Sequence, residues 1–283
     1  LTEPDAGTDL QGIRMTARRD GDDYVINGTK MWITNGAEGS CFAMLVKTDP
    51  HANPRHSGLS LFITPKKEGF TVGRKLKKLG YKAIDTAELV FENYRVPKDH
   101  LIGGVEGQGF YQTTGGLELG RINVAARGVG LSRAAFELTR EYVDGRKAFG
   151  KPIGHFQAVA FTVADRAMDV DASRGLVWRA AAAWDALTKG EGSEKGALLL
   201  SAQAIAFTHE AAMRCGDDGV QLHGGAGFMR DYPVEKLMRD AKQLGLCGMT
   251  AEQADQLAAA ITLGVPLDPG LVLPTPESQN AFV

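Results

Sequence analysis

Residues Tyr24–Gly36 read YVINGTKMWITNG, and the fold turns on how they are taken. Tyr24, Val25 and Ile26 are strand formers. Asn27-Gly28 is a strong turn signal, because both residues tolerate φ > 0. Met31–Thr34 then read as a return strand closed by Asn35-Gly36, so a β-hairpin is expected here. Two readings stand for its aromatic residue. Either Trp32 fills a core, or Trp32 and Thr34 line a flat ligand, with the indole against a ring and the hydroxyl on a ring heteroatom.

On the N-terminal side, LTEPDAGTDLQG is a turn-rich loop whose Thr2, Gly7 and Thr8 offer hydroxyls and exposed N–H groups to a phosphate or a polar ring edge. Strands are expected at Gly12–Arg18, Cys41–Lys47, Leu59–Ile63, Phe70–Lys75 and Ala87–Pro97, where Leu89 and Phe91 alternate with polar residues. Short strands separated by turns, without a helical period, read as a small β-barrel or sandwich.

The period changes near Gly107. Ile122, Ala125, Ala126, Val129, Ala134, Leu138 and Tyr142 recur at helical spacing within a long helix from Phe110 to Asp144. RKAFGKPIGHFQ interrupts it, and a second helix is expected from about Phe156 to Leu187. A third, capped by Ser193, runs from about Lys195 to Cys215 or just beyond, and Pro233–Ala241 is a short helix. Long helices with short connections make a bundle. TAEQADQLAAAITLG is a capped amphipathic helix, and the proline-rich stretch after it reads as an extended tail. The boundary falls between Ile102 and Gly109, which gives a β-domain at 1–104, a bundle at 105–246 and a divergent end at 247–283.

At 283 residues, with 43% apolar and 23% charged residues, the chain can form two domains with cores of their own. A net charge of −2 without a basic block argues against nucleic acid and a polybasic membrane patch. Cys41, Cys215 and Cys247 stand far apart, which argues against a disulfide framework or zinc site and fits a reducing compartment. No apolar run is long enough to span a membrane, and no signal peptide is visible. The chain starts at Leu1 in mid-motif, so a piece of a longer protein is expected. There is no P-loop, no GxGxxG after a strand, no HExxH and no GxSxG. Arg146, Lys147 and Phe149 could hold a pyrophosphate and stack an adenine, or form a solvated basic helix end. His223, beside Gly224-Gly225, reads as a structural hydrogen-bonder more readily than as a catalyst.

The motifs TEPDAGTD, NGTKMWITNG, ELVFENYRVP, Gly120-Arg121, RKAFGK, QLHGGAGF and EKLMRDA occur in one order. Together, over about residues 1–242, they closely resemble the acyl-CoA dehydrogenase family of flavoproteins. The resemblance implies an α+β multidomain fold, a middle β-domain followed by a C-terminal four-helix bundle, with the family's N-terminal helical domain absent from this stretch. It implies FAD, with Leu1, Thr2, Gly7 and Thr8 on the loop touching flavin and acyl-CoA, and Trp32 and Thr34 flanking the isoalloxazine. Arg146, Phe149, Gln157, Gln221, Gly224 and Gly225 would reach the ADP half of a neighbouring subunit's FAD. Arg121 matches an active-site arginine that binds substrate. The reaction implied is oxidation of an acyl-CoA to a 2,3-enoyl-CoA in a dimer or tetramer, with electrons passed to an electron-transfer flavoprotein, in the cytoplasm or mitochondrial matrix.

One element of the pattern is missing. The Cα proton needs a carboxylate base on the face opposite the flavin. The usual glutamate position is Gly248, although Thr250 keeps the neighbouring threonine and is counted with the cofactor residues. The alternative position, before the arginine, is Gly120. Glu252 and Glu118 are the remaining candidates. The rival reading is therefore a divergent member that does not dehydrogenate, either a subunit of a mixed oligomer or a lyase.

Overall fold

A computed structural model describes residues 1–265. Among the described residues, 1–78 and 82–116 form one compact unit, and 79–81 with 117–265 form the second. The division lies inside a helix, after Gly116, whereas the change of period places the boundary between Ile102 and Gly109, and the helix after Thr250 counts with the second unit.

In the first unit, β1 (Thr16–Asp20), β2 (Asp23–Thr34), β3 (Cys41–Lys47), β4 (Leu59–Pro65), β5 (Phe70–Lys75) and β6 (Thr86–Pro97) form a sheet of order β4-β3-β1-β2-β6-β5. The β1–β3 junction is parallel and rests on one residue pair, Thr16 with Lys47. The sheet curls there. Tyr94 on β6 donates its hydroxyl to the Pro65 carbonyl on β4 at 2.8 Å, and the rings of Tyr24 and Phe62 meet edge-on at 4.8 Å. Strands distant in the sheet order thus touch across a core of Met15, Ile26, Met44, Phe62, Phe91 and Tyr94.

The hairpin expected at Tyr24–Gly36 is not there. The stretch is one continuous strand, β2, paired with β1 on one side and β6 on the other. Asn27-Gly28 is a bulge in it: the register against β6 slips between Ile26 and Gly28, and Gly28 has φ +141°. Tolerance of positive φ serves a bulge as well as a turn. A side chain at Gly28 would also strike Met15, whose Cγ lies 2.8 Å from the site of a Cβ. The true tight turn is one element earlier, at Gly21-Asp22 between Asp20 and Asp23. The strand expected at Gly12–Arg18 begins later, at Thr16, because Leu10–Gly12 is a 3-10 turn.

The second unit is helical. α1 (Gly109–Gly145), which begins in the first unit, is followed by a two-strand turn, β7 (Lys147–Ala148) and β8 (Lys151–Pro152). α2 (Gln157–Thr188), α3 (Glu194–His223), α4 (Val234–Lys242) and α5 (Ala251–Leu263) complete it. α3 runs to His223, well past Cys215, because Gly216 and Gly219 sit inside the helix where Met238 and Val234 pack against its backbone. α1 and α3 run the same way, with Gly128 against Thr208 and Gly219 against Thr139. α5 has the expected cap: the Thr250 hydroxyl accepts from the Gln253 amide, the Gln253 side chain accepts from the Thr250 amide, and Gly264 ends the helix at φ +66°. The tail read as extended lies outside the described residues, apart from Val265.

A segment of three residues, Leu79–Tyr81, belongs to the helical unit although it falls between β5 and β6. Asp240 accepts the Tyr81 amide at 2.6 Å, and Arg239 donates to the Leu79 carbonyl at 2.7 Å. Arg127 lies 4.7 Å over the Tyr81 ring and donates Nε to its hydroxyl at 3.0 Å. The Arg-Asp pair of the EKLMRDA motif is therefore a clamp on this segment.

His209 on α3 packs edge-on against Gly245, and both ring nitrogens are buried without a partner. Burial, then the charge of Lys242, lowers its pKa below 6.5, against the opposing pull of Glu210 and Glu252. The folded state therefore binds this proton less readily than the unfolded chain does. The stability contribution is complete above pH 6.5 and is lost as pH falls through 6.5 towards the folded value. The melting temperature is expected to fall on acidification more steeply for the native chain than for His209→Gln; parallel curves would remove this residue from the acid response.

Candidate functional site

The first unit presents β2 and the loop before it. Trp32 sits at φ +57°, in a second register slip of β2 between Lys30 and Ile33. The bulge turns the indole outward and leaves it 57% exposed. That disposes of the core-filling reading. A bulky residue at positive φ is costly, of order 1–3 kcal/mol, and such strain collects where a side chain is needed in one place. Thr34, two residues on, is exposed as well and pairs with Thr86. Leu1 and Thr2 are half-buried, while Gly7 and Thr8 are open to solvent. The Met31 amide donates to the Thr2 carbonyl at 2.9 Å, so the loop lies alongside the strand that carries Trp32.

Sequence reasoning missed what fastens that loop. Glu3 and Lys30 form a buried ion pair at 2.8 Å. A lysine between Thr29 and Met31, in a strand without clean alternation, was the available sign. A solvated lysine there would have broken an otherwise half-buried strand.

In the second unit, Phe149 and Gly150 form the tip of the β7–β8 turn at φ +49° and +80°, and Phe149 is 95% exposed. Arg146 and Gln157, on either side of the turn, are also exposed. Gln221 lies on the outer face of α3, and Gly224-Gly225 open the 3-10 turn that follows. The two motifs meet at one end of the bundle. Tyr142, one turn before Arg146, stacks on His223 at 4.2 Å, and Tyr232 packs edge-on against both rings. His223 itself is buried, with Nδ1 2.7 Å from the Gly219 carbonyl, which is the structural role expected of it. The exposed arginine, aromatic ring and glycine backbone together could hold a pyrophosphate and an adenine.

Arg121 is buried on α1 and donates to Glu118 one turn earlier. The other Glu118 oxygen and the Arg121 Nε are buried without partners. Burial raises the Glu118 carboxyl's pKa, partly opposed by Arg121. Glu252 differs. It lies exposed in the first turn of α5, where its own backbone N–H and the Thr250 hydroxyl lower its pKa. An exposed carboxylate in the first turn of a helix is a weak base, so the structure separates the two candidates. Thr250 is engaged as the α5 cap. Gly248 has φ +77°, and Gly120 sits within α1 with open space where a Cβ would stand.

One unit is a curled sheet with an outward, strained tryptophan, and the other is built of long helices with an exposed arginine–aromatic–glycine cluster, which together make an α+β protein. Residues 1–94 match the family description "Acyl-CoA dehydrogenase, middle domain", and residues 107–261 match "Acyl-CoA dehydrogenase, C-terminal domain". The chain belongs to the acyl-CoA dehydrogenase family. It is 42% identical over 243 residues to a probable acyl-CoA dehydrogenase of Mycobacterium tuberculosis, a match covering 86% of this chain and 60% of that protein. The chain thus spans about 60% of the length of the curated relatives it matches. Butyryl-CoA dehydrogenase from Megasphaera elsdenii has a similar structure, with a TM-score of 0.85 at 35% identity over 93% of this chain and 67% of that one. A chain in a structure of the electron transferring flavoprotein of Acidaminococcus fermentans has a TM-score of 0.86 at 37% identity, again covering 93% and 67%. Among the described residues no helix is long and apolar enough to cross a membrane.

Proposed function

We propose that this chain is the flavin- and acyl-CoA-holding part of an acyl-CoA dehydrogenase-like oxidoreductase, working as a dimer or tetramer and passing electrons to an electron-transfer flavoprotein. The observation that carries the reading is Trp32, a strained aromatic held out of its own core. FAD fits the residues present. Trp32 and Thr34 suit a flat heteroaromatic ring, and Arg146, Phe149 and the Gly224-Gly225 backbone suit a pyrophosphate with an adenine.

When bound, FAD supplies a two-electron acceptor for the substrate's Cβ hydride. The residues of this chain do the rest. Thr8 is exposed and offers its hydroxyl to the acyl-CoA, while the thioester oxygen needs hydrogen-bond donors because its negative charge grows as the Cα proton leaves. Arg121, held by Glu118, places a fixed positive charge on α1 beside Gly120. Proton removal needs a carboxylate, and both usual positions are glycine. That specific observation favours the second reading, a member that binds flavin and acyl-CoA but dehydrogenates slowly or not at all.

The exposed Arg146–Phe149–Gln221 cluster is assigned here to a neighbouring subunit's FAD. Flavin retention and oligomerisation are then linked. Dilution to monomers is expected to release the flavin, followed by its fluorescence alongside the sedimentation of the protein. A monomer that keeps stoichiometric FAD would sink the shared-site assignment.

A further inference from the structure

Among the described residues of the first unit, Lys30 is the most deeply buried charged side chain at 2% exposure, with Glu3 at 6%. The Lys30 ammonium donates to Glu3 Oε1 at 2.8 Å and to the Leu1 carbonyl at 2.9 Å. The Glu3 carboxylate also accepts the Arg14 amide at 2.6 Å and the Met15 amide at 3.2 Å. One residue on from Lys30, the Met31 amide takes the Thr2 carbonyl. A single ion pair thus fastens three segments: the loop at Leu1–Glu3, the entry to β1 at Arg14–Met15, and β2 at the point where it bulges. Burial lowers the lysine's pKa, and Glu3 opposes the shift. Desolvating two charges is expensive, and apolar residues of similar volume often hold a core at least as well. What an ion pair adds is registry. Here the registry is between a loop and the bulge that carries Trp32, two residues from Lys30, and the backbone strain at Trp32 persists only if its surroundings over-determine it.

We infer that the Glu3–Lys30 pair is a positioning device for the flavin ring, locking the Leu1–Thr8 loop and the Trp32 bulge into one arrangement so that the loop's contacts and the indole's contacts with the ring are set together. The inference rests on the flavin reading given above. It makes Glu3 and Lys30 positioning residues; neither need touch the ring.

The test is the double variant Glu3→Gln/Lys30→Met, which removes both charges while keeping volume and an acceptor for the Arg14 amide. Thermal unfolding, FAD affinity by fluorescence quenching and the flavin absorbance spectrum are measured together. The expected result is a folded protein whose melting temperature stays near the native one, whose Kd for FAD rises roughly tenfold or more, and whose flavin bands lose their shoulders. Native affinity and a native spectrum in the folded double variant would overturn the inference and leave the pair a purely structural one. Should the double variant not fold, Lys30→Arg takes its place. It keeps the charge but replaces a compact ammonium with a planar fork that cannot repeat both contacts. Weakened FAD binding by a folded Lys30→Arg protein supports the inference, and native binding overturns it. Failure of the unmodified chain to bind FAD would instead overturn the flavin reading beneath it.

Discussion

Gly120→Glu is expected to speed anaerobic bleaching of the bound flavin by acyl-CoA about 10²–10⁴-fold, the usual contribution of a well-placed general base. Gly120 is the better of the two empty positions on backbone grounds. It lies inside α1, directly before Arg121, and a Cβ there meets nothing within 4 Å. Replacing glycine within a helix also favours the helix by roughly 0.5–1 kcal/mol, so folding is not at risk. Gly248 is the worse position. Its φ of +77° would charge any L side chain roughly 1–2 kcal/mol of backbone strain, and a failed Gly248→Glu would not distinguish strain from irrelevance. The comparison is with the unmodified protein, expected to bleach slowly or not at all with short, medium and branched acyl-CoAs. Fast bleaching by the unmodified protein would show that another base is present. Glu118→Gln is then the first variant to make, because the Glu118 carboxyl is buried, raised in pKa and has one oxygen without a partner. Glu252→Gln is expected to change little, since that carboxylate is exposed and lowered in pKa.

Asp169→Ala is expected to cost about 3 kcal/mol of stability, in the range for removing one partner of a buried ion pair. Asp169, on α2, is buried and holds two arginines at once. Arg214 on α3 reaches both its oxygens, at 3.1 and 2.9 Å, and Arg166 lies at 3.0 Å. Arg166 also meets Asp218 at 2.7 Å. Removing Asp169 leaves a mostly buried Arg166 with one carboxylate instead of two and strips Arg214 of its bidentate partner, so α2 and α3 lose their shared anchor. For a protein of this size that cost lowers the melting temperature by roughly 6–12 °C. Calorimetry of the native and variant proteins at neutral pH measures it. A fall of less than about 2 °C would show the network to be solvated and its charges replaceable by water.

Helix positions were legible because the 3.6-residue period is written into every turn: α1, α2, α4 and α5 lie within a residue or two of where Phe110–Asp144, Phe156–Leu187, Pro233–Ala241 and Thr250–Gly264 place them. The turn that carries Arg146 and Phe149 and the glycine loop at Gly224-Gly225 were legible because glycine and charge collect at turns, whereas Gln221 was marked only by the family resemblance. β2 was not. Asn27-Gly28 carries the same φ preference whether the chain reverses or merely bulges, and only the partner strand decides between them. Phe91 on β6 is that partner context, and it is far from Gly28 in sequence. Glu3–Lys30 and Asp169–Arg214 were hidden for the same reason: each joins residues far apart in the chain, and a charged residue looks alike in sequence whether water or another side chain satisfies it. Glu118 and Glu252 could be separated only once burial was known.

The clamp on Leu79–Tyr81 has a consequence for anyone dividing this protein. The chain passes between its two compact units after Lys78, after Tyr81 and after Gly116, so no single scission yields both in full. A piece ending at Gly116 carries Leu79-Gly80-Tyr81 away from Arg127, Arg239 and Asp240. A piece beginning at Leu117 keeps a buried Asp240 whose amide donor has gone. The helical unit is in this sense a two-segment body, Leu79–Tyr81 together with the chain after Gly116, and a transplanted bundle must bring both segments with it.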